Sequence, residues 1–256
     1  MTFLETALKC VAETKPLFLD GYLQDKEISY KGDVDLVTTI DKAVEKKVQE
    51  IILSDYPDHD ILAEESEDYS QSGSYQWIID PLDGTTNFAH AVPHFALSMA
   101  LEQDGKPILG VVYQPISDEL FVAEKGKGAF LNNKKISVSK VTTLGKSLIA
   151  TGFPYDRQQY ADFYTKELSK MMKVSQGIRR AGVASLDLCY IACGRYDGFY
   201  ERKLHPWDVA ASLLIIEEAG GEVTTFTGDP YSYSEETILT SNQLIHDEMI
   251  HILANG

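Results

Sequence analysis

Cysteine is scarce in this chain of 256 residues, which holds only Cys10, Cys189 and Cys193 and no Cys-x-x-Cys pair. So small and odd a set argues against a disulfide framework or a thiolate zinc site. Cys189 and Cys193 stand four apart in an apolar helical run and read as small core residues. Long apolar stretches are missing as well. No run approaches the ~18 residues of a membrane span. The opening segment MTFLETALKCVAETK carries acid and lacks a basic leader, so it reads as an amphipathic helix, not a secretory signal, with Pro16 kinking or ending it. A cytoplasmic location is the default expectation. Positive charge is in deficit, with 23 basic against 39 acidic residues and a formal net charge of −16. Such a field repels phosphate backbones and argues against general nucleic-acid binding. The six histidines form no credible zinc or Ser-His-Asp set. His90 and His94 flank a loop-like AVP, and His205 precedes a proline and reads as structural.

What is present suits a soluble enzyme-sized protein, with 44% hydrophobic and 24% charged residues. Thr38 and Thr39 precede a helical pattern with apolar residues at 40, 44, 48, 51 and 52. DILAE (60–64) reads as a short strand, the acidic stretch 65–74 as a loop, and YQWIID (75–80) as a buried strand stopped by the Asp-Pro step. Residues 95–138 show several β segments punctuated by Gly, Pro and Asn-Asn, as in an antiparallel sheet. Beyond Lys140, strands and helices alternate. The expected organisation is therefore an α+β half over 1–140 and an α/β half over 141–256, packed without a flexible linker.

The informative segment is Asp80-Pro81-Leu82-Asp83-Gly84-Thr85-Thr86-Asn87. Two carboxylates three apart on a turn past a buried strand offer the hard oxygen donors that magnesium demands. If a helix begins at Gly84, its free amides would face the same spot and suit a phosphate. Asp-x-x-Asp-Gly alone is also an ordinary turn. Glu64 and Glu65, ending the preceding strand, and Asp208, at the head of an apolar helix, add acid at places where sites form. Asp208 by itself reads equally as a helix cap.

These segments resemble the inositol monophosphatase family. WIIDPLDGTTNF (77–88) and WDVAASLLIIEEAGG (207–221) are similar to its two signature segments. DLVTTID (35–41), AEES (63–66), PHFALS (93–98), GFPYDR (152–157) and RRAGVASLDL (179–188) match in order, over essentially the whole chain. The resemblance implies a layered α/β/α/β/α sandwich and a magnesium-dependent phosphatase acting on a small polyol or sugar phosphate, inositol-1-phosphate first among them. It implies two or three Mg2+ ions, held by Glu64, Asp80, Asp83, Asp208 and the carbonyl of Leu82. Thr85 would bond the attacking water, backed by Asp41. The amides of Gly84 and Thr85 would take phosphate oxygens. Asp83, Glu201 and the loop Gly182-Val183-Ala184 would read the substrate hydroxyls, and Lys31 would lie on a loop that swings over the site. Asp41, Glu201 and Lys31 have plainer readings too: a first-turn helix acid, a solvated strand-end acid and an exposed loop lysine.

The resemblance further implies a homodimer and sensitivity to lithium. Val183 stands where many members carry Ser or Thr, Ser212 replaces a frequent Gly, and the loop 65–75 is short, which opens the cleft to larger substrates. Fructose 1,6-bisphosphate, histidinol phosphate and adenosine 3′,5′-bisphosphate are the rival esters. Thr86-Asn87-Phe88 after Asp-Gly-Thr is typical of the inositol group. Since some bacterial relatives bind the transcription machinery, a regulatory binding protein is the reading from another class.

Overall fold

The computed structural model describes residues 1–22, 24, 28–30, 36–66 and 73–254. Lys31 and part of the acidic loop lie outside them. Helix α1 (Phe3–Tyr22) continues through Pro16, so the helix does not end there. The short pair β1 (Ile28–Tyr30) and β2 (Leu36–Thr38) leads into α2 (Thr39–Asp55). Then come β3 (Asp60–Ala63), β4 (Tyr75–Asp83), the single turn α3 (Thr85–Ala89), β5 (Ala96–Gln103), β6 (Lys106–Gln114), β7 (Glu119–Glu124), β8 (Gly128–Leu131) and β9 (Lys134–Lys135). Strands β3 to β9 form a seven-stranded sheet in sequence order, antiparallel except for the β3–β4 pair.

The remaining chain supplies β10 (Leu148–Thr151), α4 (Arg157–Val174), β11 (Gly177–Arg179), α5 (Ala184–Ala192), β12 (Gly198–Arg202), α6 (Pro206–Glu218), β13 (Glu222–Thr224), β14 (Thr237–Ser241) and α7 (His246–Ala254). Its sheet has the order β11-β10-β12-β14-β13, parallel on one side and antiparallel on the other. Strands β11 and β14 were not anticipated. GIR, at three residues, is too short to show a period.

The result is the layered α/β/α/β/α sandwich. Helices α1 and α2 cover one face of the large sheet, and Phe18, Ile52, Trp77 and Phe95 share their core. Helices α5 and α6 fill the space between the sheets, while α4 and α7 back the smaller one. Residues 209–216 of α6 are buried without a break, as an all-round apolar helix between two sheets must be. Close approach of α6 requires Gly110 on β6, where a Cβ would collide with the carbonyl oxygen of Ala211. This middle layer matters for the site, because it brings the heads of α5 and α6 to the end of β4. Among the described residues, no helix is long and apolar enough to cross a membrane.

Candidate active site

Strand β4 carries the first two acids. Its pairing with β5 is regular up to Asp80↔Ser98, slips, and resumes at Asp83↔Ala96. The strand therefore continues through the Asp-Pro step and does not stop there as expected. Pro81 sits inside the irregularity, where a residue with no amide hydrogen costs no ladder bond. In a regular strand, residues three apart face opposite ways. The slip instead lets Asp80 and Asp83 line the same cleft. Gly84 follows at φ +93°, a left-handed conformation suited to glycine, and a Cβ there would lie 2.8 Å from Cγ2 of Val183.

At the first residue of α3, the Thr85 hydroxyl has two acceptors for its one hydrogen, Asp41 Oδ1 at 3.0 Å and the Leu82 carbonyl at 2.9 Å. Asp41 is completely buried in the first turn of α2. Its other oxygen accepts the Thr38 amide at 2.8 Å and the Thr38 hydroxyl at 2.5 Å. The plain helix-acid reading and the partnership with Thr85 are thus both true of one carboxylate. Burial raises its pKa, and the bonds from Thr38 and Thr85 oppose that rise.

The other acids converge on the same cleft. Glu64 leaves the end of β3, tied to β4 by its amide bond to the Ile79 carbonyl at 3.3 Å. Asp80 is 1% exposed and accepts the Leu82 amide at 2.9 Å. Its pKa is pushed well up, by burial first and then by the charges of Glu64, Asp83 and Asp208. Asp83 reaches across to α5 and accepts the Ser185 amide at 2.7 Å. Burial holds its pKa up at about 6, against the helix amides and Arg180. Asp208 lies in the first turn of α6 and accepts the His205 amide at 2.6 Å, so it caps the helix and lines the cleft at once.

This donor set is all oxygen: four facing carboxylates and the Leu82 carbonyl. Hard donors of that kind fit Mg2+, Mn2+ or Ca2+ better than zinc. The repulsion that raises Asp80 is the charge a divalent cation would neutralise. Among the described residues, no three acidic, histidine or cysteine side chains are closed to the spacing of a finished metal cage. The four carboxylates face one another and stop short of a coordination sphere.

The opposite wall comes from the second sheet. Gly182 has φ +79°, buried Val183 is the N-cap residue of α5, and Ala184 begins the helix. Glu201 on β12 is 9% exposed, with its pKa raised by burial against the pull of Arg180. Gly152 makes room for it, since a Cβ at 152 would strike both Glu201 carboxylate oxygens. The cleft between the walls encloses about 380 Å³.

The sequence profile of the inositol monophosphatase family matches residues 2–255. The chain belongs to the inositol monophosphatase family. An inositol-1-monophosphatase of Synechocystis is 43% identical over 99% of this chain and 89% of its own length. The Nus factor SuhB of Escherichia coli K12 is 46% identical over 79% of this chain and 76% of its own. The crystal structure of the extragenic suppressor protein SuhB from Bartonella henselae superposes with a TM-score of 0.95 at 38% identity, covering 100% of both chains. The family is one of phosphoric monoester hydrolases, generally metal-dependent, and this chain is such an enzyme.

Some members of the cleft were missed by sequence reasoning. Asp187 on α5 lines it at 1% exposure, and its Oδ1 has no hydrogen-bond partner among the described residues. An acid inside LDLCYIACG was a usable signal, since a lone carboxylate on an otherwise apolar helix needs a reason to be there. Arg157 and Arg180 also line the cleft. His205, read as structural, lies at its rim and stacks on Trp207 with ring centroids 4.8 Å apart.

Proposed function

We propose that the protein hydrolyses inositol-1-phosphate, or a close polyol phosphate monoester, with Mg2+ as cofactor and water as the nucleophile. The observation that carries this reading is the contact between the Thr85 hydroxyl and buried Asp41, inside the turn whose carboxylates face Glu64 and Asp208. Two or three magnesium ions would be held by Glu64, Asp80, Asp83, Asp208 and the Leu82 carbonyl. When bound, they supply charge to acidify water and to stabilise the phosphate and the departing alkoxide.

The chain's own groups do the rest. With its hydrogen directed at Asp41, the Thr85 oxygen presents lone pairs to the cleft and accepts a proton from the attacking water. Its own proton passes to Asp41 Oδ1, 3.0 Å away. Burial raises the affinity of Asp41 for that proton. The amides of Gly84 and Thr85 bind phosphate oxygens at the turn. Glu201, Asp83 and the 182–184 loop accept and orient the polyol hydroxyls. Val183 offers no hydroxyl there, so hydroxyl reading rests on the two acids and the backbone. Cytoplasmic location, a homodimer and lithium inhibition complete the proposal.

The test is phosphate release from inositol-1-phosphate with magnesium and with EDTA, on the wild type and Asp83→Asn. Release that requires magnesium and falls at least about a hundredfold in the variant, with an unchanged circular dichroism spectrum, is the expected outcome. Release unaffected by EDTA, or near-normal turnover in the variant, overturns the site assignment. The 46% identity to a protein named Nus factor SuhB favours a second role in binding the transcription machinery. Pull-down from native lysate with wild type and Asp83→Asn examines it, and absence of RNA polymerase or Nus factors from both eluates ends that reading.

A further inference from the structure

The two walls of the cleft belong to different sheets, so their separation has to be fixed by contacts between them. The turn 83–87 ends β4 of the large sheet, and the loop 181–184 leads from β11 of the smaller one into α5. Asp83 bridges them by accepting the Ser185 amide at 2.7 Å. Val183 packs so near Gly84 that a Cβ at 84 would lie 2.8 Å from its Cγ2. Asn87, which also lines the cleft, donates from Nδ2 to the His94 carbonyl at 2.8 Å and to the Ala181 carbonyl at 2.9 Å.

Asp83 is one of the metal carboxylates, and Val183 contributes packing alone. Asn87 is neither. Both of its partners are carbonyl oxygens, which can only accept, so the orientation of the side-chain amide is fixed with its nitrogen toward them. The bond to Ala181 spans 94 positions and ties one wall to the other. Its loss would not affect the walls equally. Helix α3 is held by its own backbone, through bonds from Phe88 to Gly84 at 3.0 Å, His90 to Thr86 at 3.1 Å and Val92 to Asn87 at 2.8 Å. Phe88 is also buried in the core of the large sheet. The Ala181 carbonyl, by contrast, has no other donor among the described residues. Removing the Asn87 amide therefore frees the loop and leaves the turn in place.

We propose that Asn87 is a positioning residue: it holds the 181–184 loop at its working distance from the phosphate turn, and so sets how strongly leaving-group hydroxyls count in substrate choice. This rests on the phosphatase reading above and adds to that site a residue outside the set named there. Asn87 touches no reacting atom. It acts through the loop, whose hydrogen bonds to hydroxyls weaken steeply with distance and angle. A reading loop displaced by a fraction of an ångström loses much of its selectivity while the chemistry at the turn continues.

Two esters separate the loop from the turn: inositol-1-phosphate, whose leaving group carries hydroxyls, and p-nitrophenyl phosphate, whose leaving group carries none. Asn87→Asp keeps the size of the side chain but sets carboxylate oxygen against two carbonyls. Asn87→Ala removes the donors without adding charge and decides the matter where the first variant does not fold. Either variant should lower kcat/KM for inositol-1-phosphate at least about tenfold, chiefly through KM, the scale of one or two hydrogen bonds. For p-nitrophenyl phosphate the change should stay within about twofold. Equal losses on both esters, or no loss on either, overturn the positioning role while magnesium-dependent turnover by the wild type leaves the proposed function standing. Hydrogen–deuterium exchange gives a reading that needs no turnover. The amides of residues 181–185, Ser185 among them, should exchange at least about tenfold faster in the variants, with those of 84–92 unchanged. Unchanged exchange over 181–185, or an equal rise in both segments, would show that Asn87 does not hold the loop.

Discussion

Glu201 depends on a residue that does no chemistry. Its carboxylate fits beside Gly152 only because that position has no Cβ, and β12 holds it in place from behind, pairing with β10 and β14. Gly152→Ala should therefore push the Glu201 head group out of line while leaving the turn at Asp80 to Thr85 intact. The expected effect is a rise of about tenfold in KM for inositol-1-phosphate, the scale of one hydrogen bond to a charged group, with a smaller change in kcat. Steady-state kinetics measure both. An unchanged KM would return Glu201 to the plain reading of a strand-end acid. The two readings were open in the sequence because a spacing of seven positions from Glu201 to Asp208 says nothing about burial. The structure adds that Glu201 is 9% exposed and faces the cleft. Asp41 was ambiguous for the same reason. Its bond to Thr85 spans 44 positions, and only the packing of α2 beside the turn creates it.

Among the elements, α6 does most to assemble the site. It carries Asp208 at its head and buries residues 209–216 against the large sheet, so its distance from that sheet sets where Asp208 stands relative to β4. Gly110 controls that distance. Gly110→Ala should cost about 1–3 kcal/mol, because the clash is with a backbone carbonyl that cannot rotate away. A thermal melt should show a midpoint several degrees lower, and an unchanged midpoint would show that α6 can shift freely. The helix itself was readable as an apolar run between His205-Pro206 and Gly220-Gly221. So were α2, with its threonine cap, and the run of antiparallel strands. Pro81 was misread as a strand stop, since proline forbids a ladder bond but not a bulge. Three-residue β11 carries too few side chains for any pattern, although it supplies the edge from which the Arg180 loop departs.

Over the whole molecule, a net charge of −16 and a cleft lined by facing carboxylates pose one question: what holds so much negative charge together? The direction of the Asp83 shift supplies a test. In the metal-free protein its pKa stands at about 6 against an ordinary 3.8, so the folded state holds a proton that the unfolded state has released. Stability therefore declines as pH rises between those values, and the penalty is complete above about pH 6. Two pH units correspond to a loss on the order of 3 kcal/mol. Asp80 and Glu201 are shifted in the same direction, which adds to the effect. A divalent cation binds the ionised carboxylates and must displace protons at low pH. Magnesium should thus raise the melting midpoint over the EDTA-treated protein substantially at pH 7.5 and little at pH 5. Differential scanning calorimetry on the four combinations measures this directly. An equal gain at both pH values would mean that the cation binds away from these carboxylates. A gain that vanishes in Asp83→Asn would locate it at the turn.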